Sequence, residues 1–367
     1  MWPAGLLKKR RLLSFLFSLT AAICQLHAPP LADALPQASY SRRDSICRTG
    51  SPRQCPVRFV HHVRNLRATA LQRVEVAVAV PRSDDRQTVH SVDFSPEPSQ
   101  ISSDGWGQET AHFTTALLPP GGEFEVAMTV HVSLRDVEWR VAERDVGTPE
   151  EIPERVLRHY LRNAENYKLD QEILQRAARE LDVDGQSPLE KVRRVHDFVM
   201  DSLEYCRDDR WDPADTVLGG GKGSCSEYSY LMIALCRLSG IPARYAGGTW
   251  IEGATERLPH VDRVFHRWVE VYLPRLGWFP IDPTRDDMAE KEGEPYRYFG
   301  RLPWSYLTMA RGDGDRFESG RLGWEYRSST RWAGSEAGRD NEVVVERYAV
   351  WMRSGEGEKN AEVAQAD

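Results

Sequence analysis

The chain has 367 residues, a formal charge of -7 and 41% hydrophobic residues, among them 11 Trp, 13 Tyr and 11 Phe. That apolar content excludes disorder as the main state and supports two folded domains, while the mildly acidic balance speaks against nucleic acid as a partner. Six cysteines without CxxC pairs are too few for a disulfide-built scaffold and supply no structural zinc pattern.

Lys8-Lys9-Arg10-Arg11 precedes a largely apolar run from Leu12 to Cys24, and Ala32-Asp33-Ala34 offers a small-x-small cleavage site. This is the pattern of a signal peptide over residues 1–34, because the run is shorter than the roughly 20 residues a spanning helix needs. The protein is therefore expected to be exported, to the periplasm or the extracellular space. A membrane association enters only if the segment stays uncleaved as an anchor. Cleavage removes four basic residues and one acidic one and deepens the charge from -7 to -10. It also leaves five cysteines, Cys47, Cys55, Cys206, Cys225 and Cys236, of which at least one has no intramolecular partner in an oxidising compartment. Cys47 and Cys55 have the spacing of a small disulfide loop, and pairing of Cys206 with Cys236 is open.

From about Val57 to Leu134 the sequence alternates with period two and is rich in β-branched residues. The clearest runs are 74–80, 88–94, 111–117 and 124–132, punctuated by Pro81, Pro96, Pro98, Asp104-Gly105 and Pro119-Pro120-Gly121-Gly122. Such strands with no helical period between them predict an antiparallel β-sandwich over 40–145. No cluster of catalytic residue types lies there, so a packing or binding role is expected of it.

Gly147 to Pro153 reads as a linker, and beyond it a second domain, 150–310, begins with short helices at 154–163 and 170–181. Ser187-Pro188-Leu189-Glu190 is a capping box with Pro at the first helical position, followed by Leu189, Val192, Val195, Val199 and Leu203 on one face. His196 on this helix reads as a surface or packing histidine. Gly219 to Ser224 leads into Cys225 and a helix with the stripe Tyr228, Leu231, Met232, Leu235 and Leu238, stopped by Gly240 and Pro242. A phosphate loop is rejected, since Lys222 lacks the GxxxxGK[ST] spacing and no apolar strand precedes it. Strands at 265–273 and 277–283 flank Pro274-Arg275-Leu276 as a hairpin. A further strand at 341–352 falls in a C-terminal β extension, 311–353, before a charged tail at 354–367.

Cys225 stands at a helix start, where unpaired N–H groups and the helix dipole favour a thiolate. A lone cysteine there is more often a small hydrophobe. The hairpin changes the balance. Centred on Pro274, it places His266 opposite Asp282, Trp268 opposite Pro280 and Glu270 opposite Trp278, and opposed residues share a face. A histidine so placed donates one ring N–H to the carboxylate and turns its other nitrogen to a thiol.

Gly223-Ser224-Cys225, Gly240-Ile241-Pro242-Ala243-Arg244, the run from His266 to Tyr272, Gly277-Trp278 and Ile281-Asp282-Pro283-Thr284 together resemble the transglutaminase-like superfamily of papain-type cysteine enzymes. The resemblance covers about Glu150 to Trp304, and the preceding β-rich part looks like the sandwich often attached to bacterial members. It implies an α+β fold, an N-terminal antiparallel β-sandwich followed by a transglutaminase-like, papain-like catalytic domain. It further implies Cys225 as nucleophile, His266 as general base and acid, and Asp282 as the residue orienting the imidazole. The backbone N–H of Cys225 is one oxyanion donor, and Tyr205, Trp211 and Tyr228 are candidates for a side-chain donor.

The function implied is acyl transfer or hydrolysis of protein or peptide amides, Gln-containing ones included, through a thioester, with an amine acceptor or water completing the cycle. No cofactor and no metal are expected: Asp313-Gly314-Asp315 with Glu318 lacks the calcium-loop spacing, and His266, which with His260 and Asp262 suggests metal ligands, is better used in the triad. A catalytically silent binding module on the same scaffold is the alternative.

Overall fold

The computed structural model describes residues 46–104, 107–181, 185–207, 210–251, 258–290, 293–312, 328–333 and 342–355. The expected signal peptide lies outside the described residues, as does the tail from residue 356. The fold is α+β with largely antiparallel sheets. Among the described residues no helix is long and apolar enough to cross a membrane.

The alternating segment builds β1 (Arg53–Asn65), β2 (Leu71–Val80), β3 (Gln87–Ser95), β4 (Gln100–Ser103), β5 (Glu109–Leu118) and β6 (Glu123–Leu134). Strands β1, β6 and β3 belong to one sheet, and β2, β5 and β4 to a second. Because side chains alternate along a strand, each sheet turns one apolar face inward. Val57, Val63 and Met128 of the first sheet share a core with Val76, Val78 and Phe113 of the second. The strand Val343–Trp351 returns to this sandwich and pairs along β1, from Val343 opposite Asn65 to Trp351 opposite Val57. Its other edge takes the short strand His260–Asp262, which leads towards His266.

The helical part comprises α1 (Glu154–Tyr160), α2 (Glu172–Leu181), α3 (Pro188–Ser202), α4 (Ala214–Gly220) and α5 (Cys225–Leu238). Ser187 caps α3, its Oγ accepting the Glu190 N–H at 3.1 Å. The glycine-rich passage resolves into three local jobs. Gly219 and Gly220 end α4, Gly221 takes φ +65 as its cap, and Gly223 leaves no room for a side chain, since a Cβ there would lie 2.5 Å from Cβ of Glu227. Helix α5 is buried on nearly every face, beyond the single stripe its sequence predicts, because it packs between the helices α2, α3 and α4 and the strands that follow.

Those strands are β7 (Ala243–Trp250), β8 (His266–Leu273), β9 (Gly277–Ile281) and, after α6 (Pro283–Glu290), β10 (Tyr306–Gly312). Their order is β9-β8-β7-β10, so β10 forms an edge. Every residue of β8 is buried.

The hairpin forms where expected, but its register differs by two residues. Leu273 pairs with Gly277, Glu270 with Pro280 and Val269 with Ile281, which centres the hairpin on Arg275 rather than Pro274. The cause is the turn. Arg275 adopts φ +66, and the Leu276 N–H closes on the Leu273 carbonyl at 3.1 Å, making a three-residue loop of Pro274, Arg275 and Leu276. His266 and Asp282 are thus not directly opposed. A shift of two keeps side chains on their face, whereas a shift of one reverses it.

Candidate active site

Cys225 is the first residue of α5, so its N–H belongs to the helix-start donors that have no intrahelical acceptor. The turn before it is held by Glu227, whose Oε2 accepts the Ser224 N–H at 3.0 Å. His266 is the first residue of β8, and a buried carboxylate shapes the loop that delivers it. Asp262 accepts the backbone N–H groups of Val264 at 2.9 Å and Phe265 at 2.8 Å through Oδ1, and the Thr249 hydroxyl at 2.7 Å through Oδ2. Asp282 follows β9 and caps α6: Oδ1 accepts the Arg285 N–H at 3.1 Å, and Pro283 takes the first helical position.

These three elements converge. His266 Nε2 lies 2.6 Å from Asp282 Oδ2, and the imidazole is near enough to the Cys225 thiol for each to shift the other's titration, which leaves Nδ1 for sulfur. The exposures are 9% for Cys225, 5% for His266 and 0% for Asp282, so the group sits almost out of water. Burial pulls the imidazole towards neutrality, but the adjacent Asp282 carboxylate overrides it and raises the His266 pKa to about 10. Burial raises the thiol too; the His266 hydrogen bond and charge, the Arg267 charge and the Arg267 backbone N–H outweigh it, and the Cys225 pKa is lowered. The arrangement favours a thiolate–imidazolium pair. By contrast, burial raises the thiol of Cys236, and it pushes that of Cys55 up to about 12. Cys55 carries a free thiol, so the Cys47–Cys55 loop is not closed, and Cys206 and Cys236 are not joined.

Two aromatic residues that sequence spacing did not point to complete the surroundings. Trp250 of β7 stacks on the His266 ring at 4.9 Å between centroids, and the Tyr306 hydroxyl of β10 donates to Asp282 Oδ2 at 3.0 Å. Neither is close in sequence to the residue it touches, so only the sheet order β8-β7-β10 brings them in. Of the suggested side-chain oxyanion donors, Tyr228 is committed elsewhere, its one hydroxyl proton shared between the Leu203 carbonyl at 3.0 Å and Asp287 Oδ2 at 3.1 Å. Trp211 lies under the Arg267 guanidinium at 4.3 Å, and Tyr205 stands beside Gly223 in a short parallel bridge. His196, expected at the surface or in packing, is fully buried and meets Asp286 of α6, Nε2 to Oδ2, at 3.0 Å.

Residues 175–283 match the family model of the transglutaminase-like superfamily, an interval that holds Cys225, His266 and Asp282. That interval is transglutaminase-like. A solved structure from Cytophaga hutchinsonii, described as a candidate cysteine protease, shares the fold with a TM-score of 0.58 at 15% identity, covering 85% of this chain and 95% of that one. The chain is also 25% identical over 190 residues to the uncharacterised protein YebA of Bacillus subtilis, covering 47% of this chain and 23% of YebA. It is 27% identical over 158 residues to a protein-glutamine gamma-glutamyltransferase of Pseudomonas aeruginosa, covering 36% of this chain and 22% of that enzyme. The chain thus spans under a quarter of the length of these two relatives.

Proposed function

We propose that this chain is an exported cysteine enzyme that transfers or hydrolyses acyl groups of protein or peptide amides through a thioester on Cys225. The observation that carries the reading is the imidazole of His266, held by Asp282 at 2.6 Å and near enough to the Cys225 thiol for each to shift the other's titration. Export rests on the basic and apolar leader at 8–24 with its cleavage site.

In this mechanism the Cys225 thiolate attacks the amide carbonyl carbon, forming a C–S bond. The oxyanion that develops is met by the Cys225 backbone N–H, a contribution of about 3 kcal/mol for one well-aimed donor. His266 gives its proton to the departing nitrogen, the C–N bond breaks and the thioester remains. A primary amine or water then enters, His266 removes its proton, and the thiolate leaves. Asp282 holds Nε2–H throughout, fixing the tautomer and stabilising the imidazolium. Protein or peptide amides, glutamine side chains among them, are the expected substrates, and an amine is the expected acceptor in transamidation.

The test is incubation of the full-length protein with a Gln-containing peptide library, with and without a primary amine, read by mass spectrometry. Amine incorporation assigns transamidation, and peptide cleavage or deamidation assigns hydrolysis. No change, with wild type and Cys225→Ala alike, overturns the enzyme reading in favour of a binding module.

A further inference from the structure

Strand β10 is the edge of the sheet that carries His266, and an edge leaves backbone N–H and C=O groups without a strand partner. Here the sandwich supplies the missing partners with side chains. Gln87 Nε2 donates to the Thr308 carbonyl at 2.9 Å, and Gln87 Oε1 accepts the Thr308 N–H at 3.0 Å, the two bonds a neighbouring strand would make. Arg86 Nη1 donates to the Tyr306 carbonyl at 2.7 Å, and its Nη2 donates to Thr308 Oγ1 at 3.0 Å.

Both side chains are built into place. Gln87 is 0% and Arg86 6% exposed, and Asp84 Oδ1 folds the loop by accepting their backbone N–H groups at 2.8 and 2.7 Å. Asp84 also pairs with Arg311 at the far end of β10, and Arg311 pairs with Glu270 of β8 at 3.0 Å. The grip falls on the strand residue that matters most to the site. The Tyr306 hydroxyl donates to the same Asp282 oxygen that faces His266, and its ring lies edge-on to the His266 ring at 5.8 Å.

We propose that Arg86 and Gln87 of the sandwich are positioning residues for the Cys225–His266–Asp282 group, acting through strand β10 and the Tyr306 hydroxyl. This rests on the cysteine-enzyme reading above. The sandwich is then part of the machinery that aligns the triad, beyond the packing or binding role its sequence suggests. Small displacements matter at such a site, since about 1 Å of misplacement costs on the order of a hundredfold in rate. A purely structural clamp predicts lost stability alone. A positioning clamp also predicts a changed titration of the thiol, because Asp282 governs His266 and His266 governs Cys225.

The test uses the full chain and iodoacetamide as reagent, following Cys225 alkylation by site-resolved mass spectrometry across pH, with melting temperature measured alongside. Tyr306→Phe and Arg86→Met should each slow alkylation at pH 6 about tenfold and move its acid limb up by about one pH unit. The double variant should be no slower than the slower single, because both act on one contact, and Arg86→Lys should restore part of the rate. If Arg86→Met does not fold, Gln87→Met and Arg86→Lys against Tyr306→Phe make the same comparison. An unchanged acid limb in variants that lose only melting temperature, or additive losses in the double variant, overturns the proposal. A wild-type limb at the value of an ordinary thiol overturns the enzyme reading itself, and the clamp with it.

Discussion

His266 and Asp282 stand two residues out of direct cross-strand register, yet their side chains close to 2.6 Å. Diagonal neighbours on one sheet face are within reach of long or aromatic side chains. The carboxylate is brought back by its place at the N-cap of α6, where the chain leaves the strand. The cap and the contact with His266 divide the two oxygens, Oδ1 to the Arg285 N–H and Oδ2 to His266.

Asp282→Asn should therefore retain the cap and lose the orienting charge. We expect kcat/KM on a reactive peptide to fall by about 10²- to 10⁴-fold with little change in melting temperature. His266→Ala should fall at least as far, and the two together should not multiply, because they act as one unit. Steady-state kinetics with unfolding curves on each variant checks this.

The second buried pair, His196 with Asp286, joins α3 to the helix that Asp282 caps. Both groups are fully buried, so His196→Ala strands a carboxylate and should cost about 3 kcal/mol of stability. The bonds to Asp197 and Asp286 outweigh burial and raise the His196 pKa above its ordinary 6.5. Burial likewise raises that of Asp286. The histidine's contribution is thus fully present below about 6.5 and is lost as pH climbs through the raised value. Denaturant titrations from pH 5 to 9 should show wild type losing more stability over this span than His196→Gln. Parallel curves would contradict it.

At Gly248 an added Cβ would fall 1.9 Å from the Leu307 carbonyl, backbone that has nowhere to retreat because β10 is held from its other side. Gly248→Ala should destabilise the protein by about 3 kcal/mol. Because β10 carries Tyr306, alkylation of Cys225 should slow as well. A variant as stable as wild type in urea would contradict the close approach.

Local signals in the sequence are recovered in the fold wherever the cause is local. The capping box at Ser187, the cysteine at a helix start and the alternation of β2, β5 and β6 each need only neighbours in the chain. The hairpin centre lies one residue beyond the expected place because Arg275 takes a positive φ in a three-residue turn, a backbone state that a non-glycine residue does not announce. Trp250, Tyr306 and Arg86 left no trace, since their roles come from sheet order and from a loop of another layer. His196 did carry a readable signal. It lies four residues after Val192 and three before Val199, inside the apolar stripe, where a histidine needs a buried partner.

The central claim is that Cys225 is an activated thiol, and site-resolved iodoacetamide labelling of wild type and His266→Gln tests it most directly. The lowered Cys225 pKa keeps the thiolate present as pH falls below the ordinary 9.0, and the raised His266 pKa keeps the imidazolium until about 10, so the reactive pair fills the window between. At pH 7 Cys225 should be labelled well ahead of Cys206 and Cys236. His266→Gln removes the leading influence that lowers the thiol and leaves burial opposed only by Arg267, so its acid limb should rise and labelling at pH 7 should drop about a hundredfold. Labelling of Cys225 no faster than of Cys206 and Cys236, and unchanged in His266→Gln, would contradict the account.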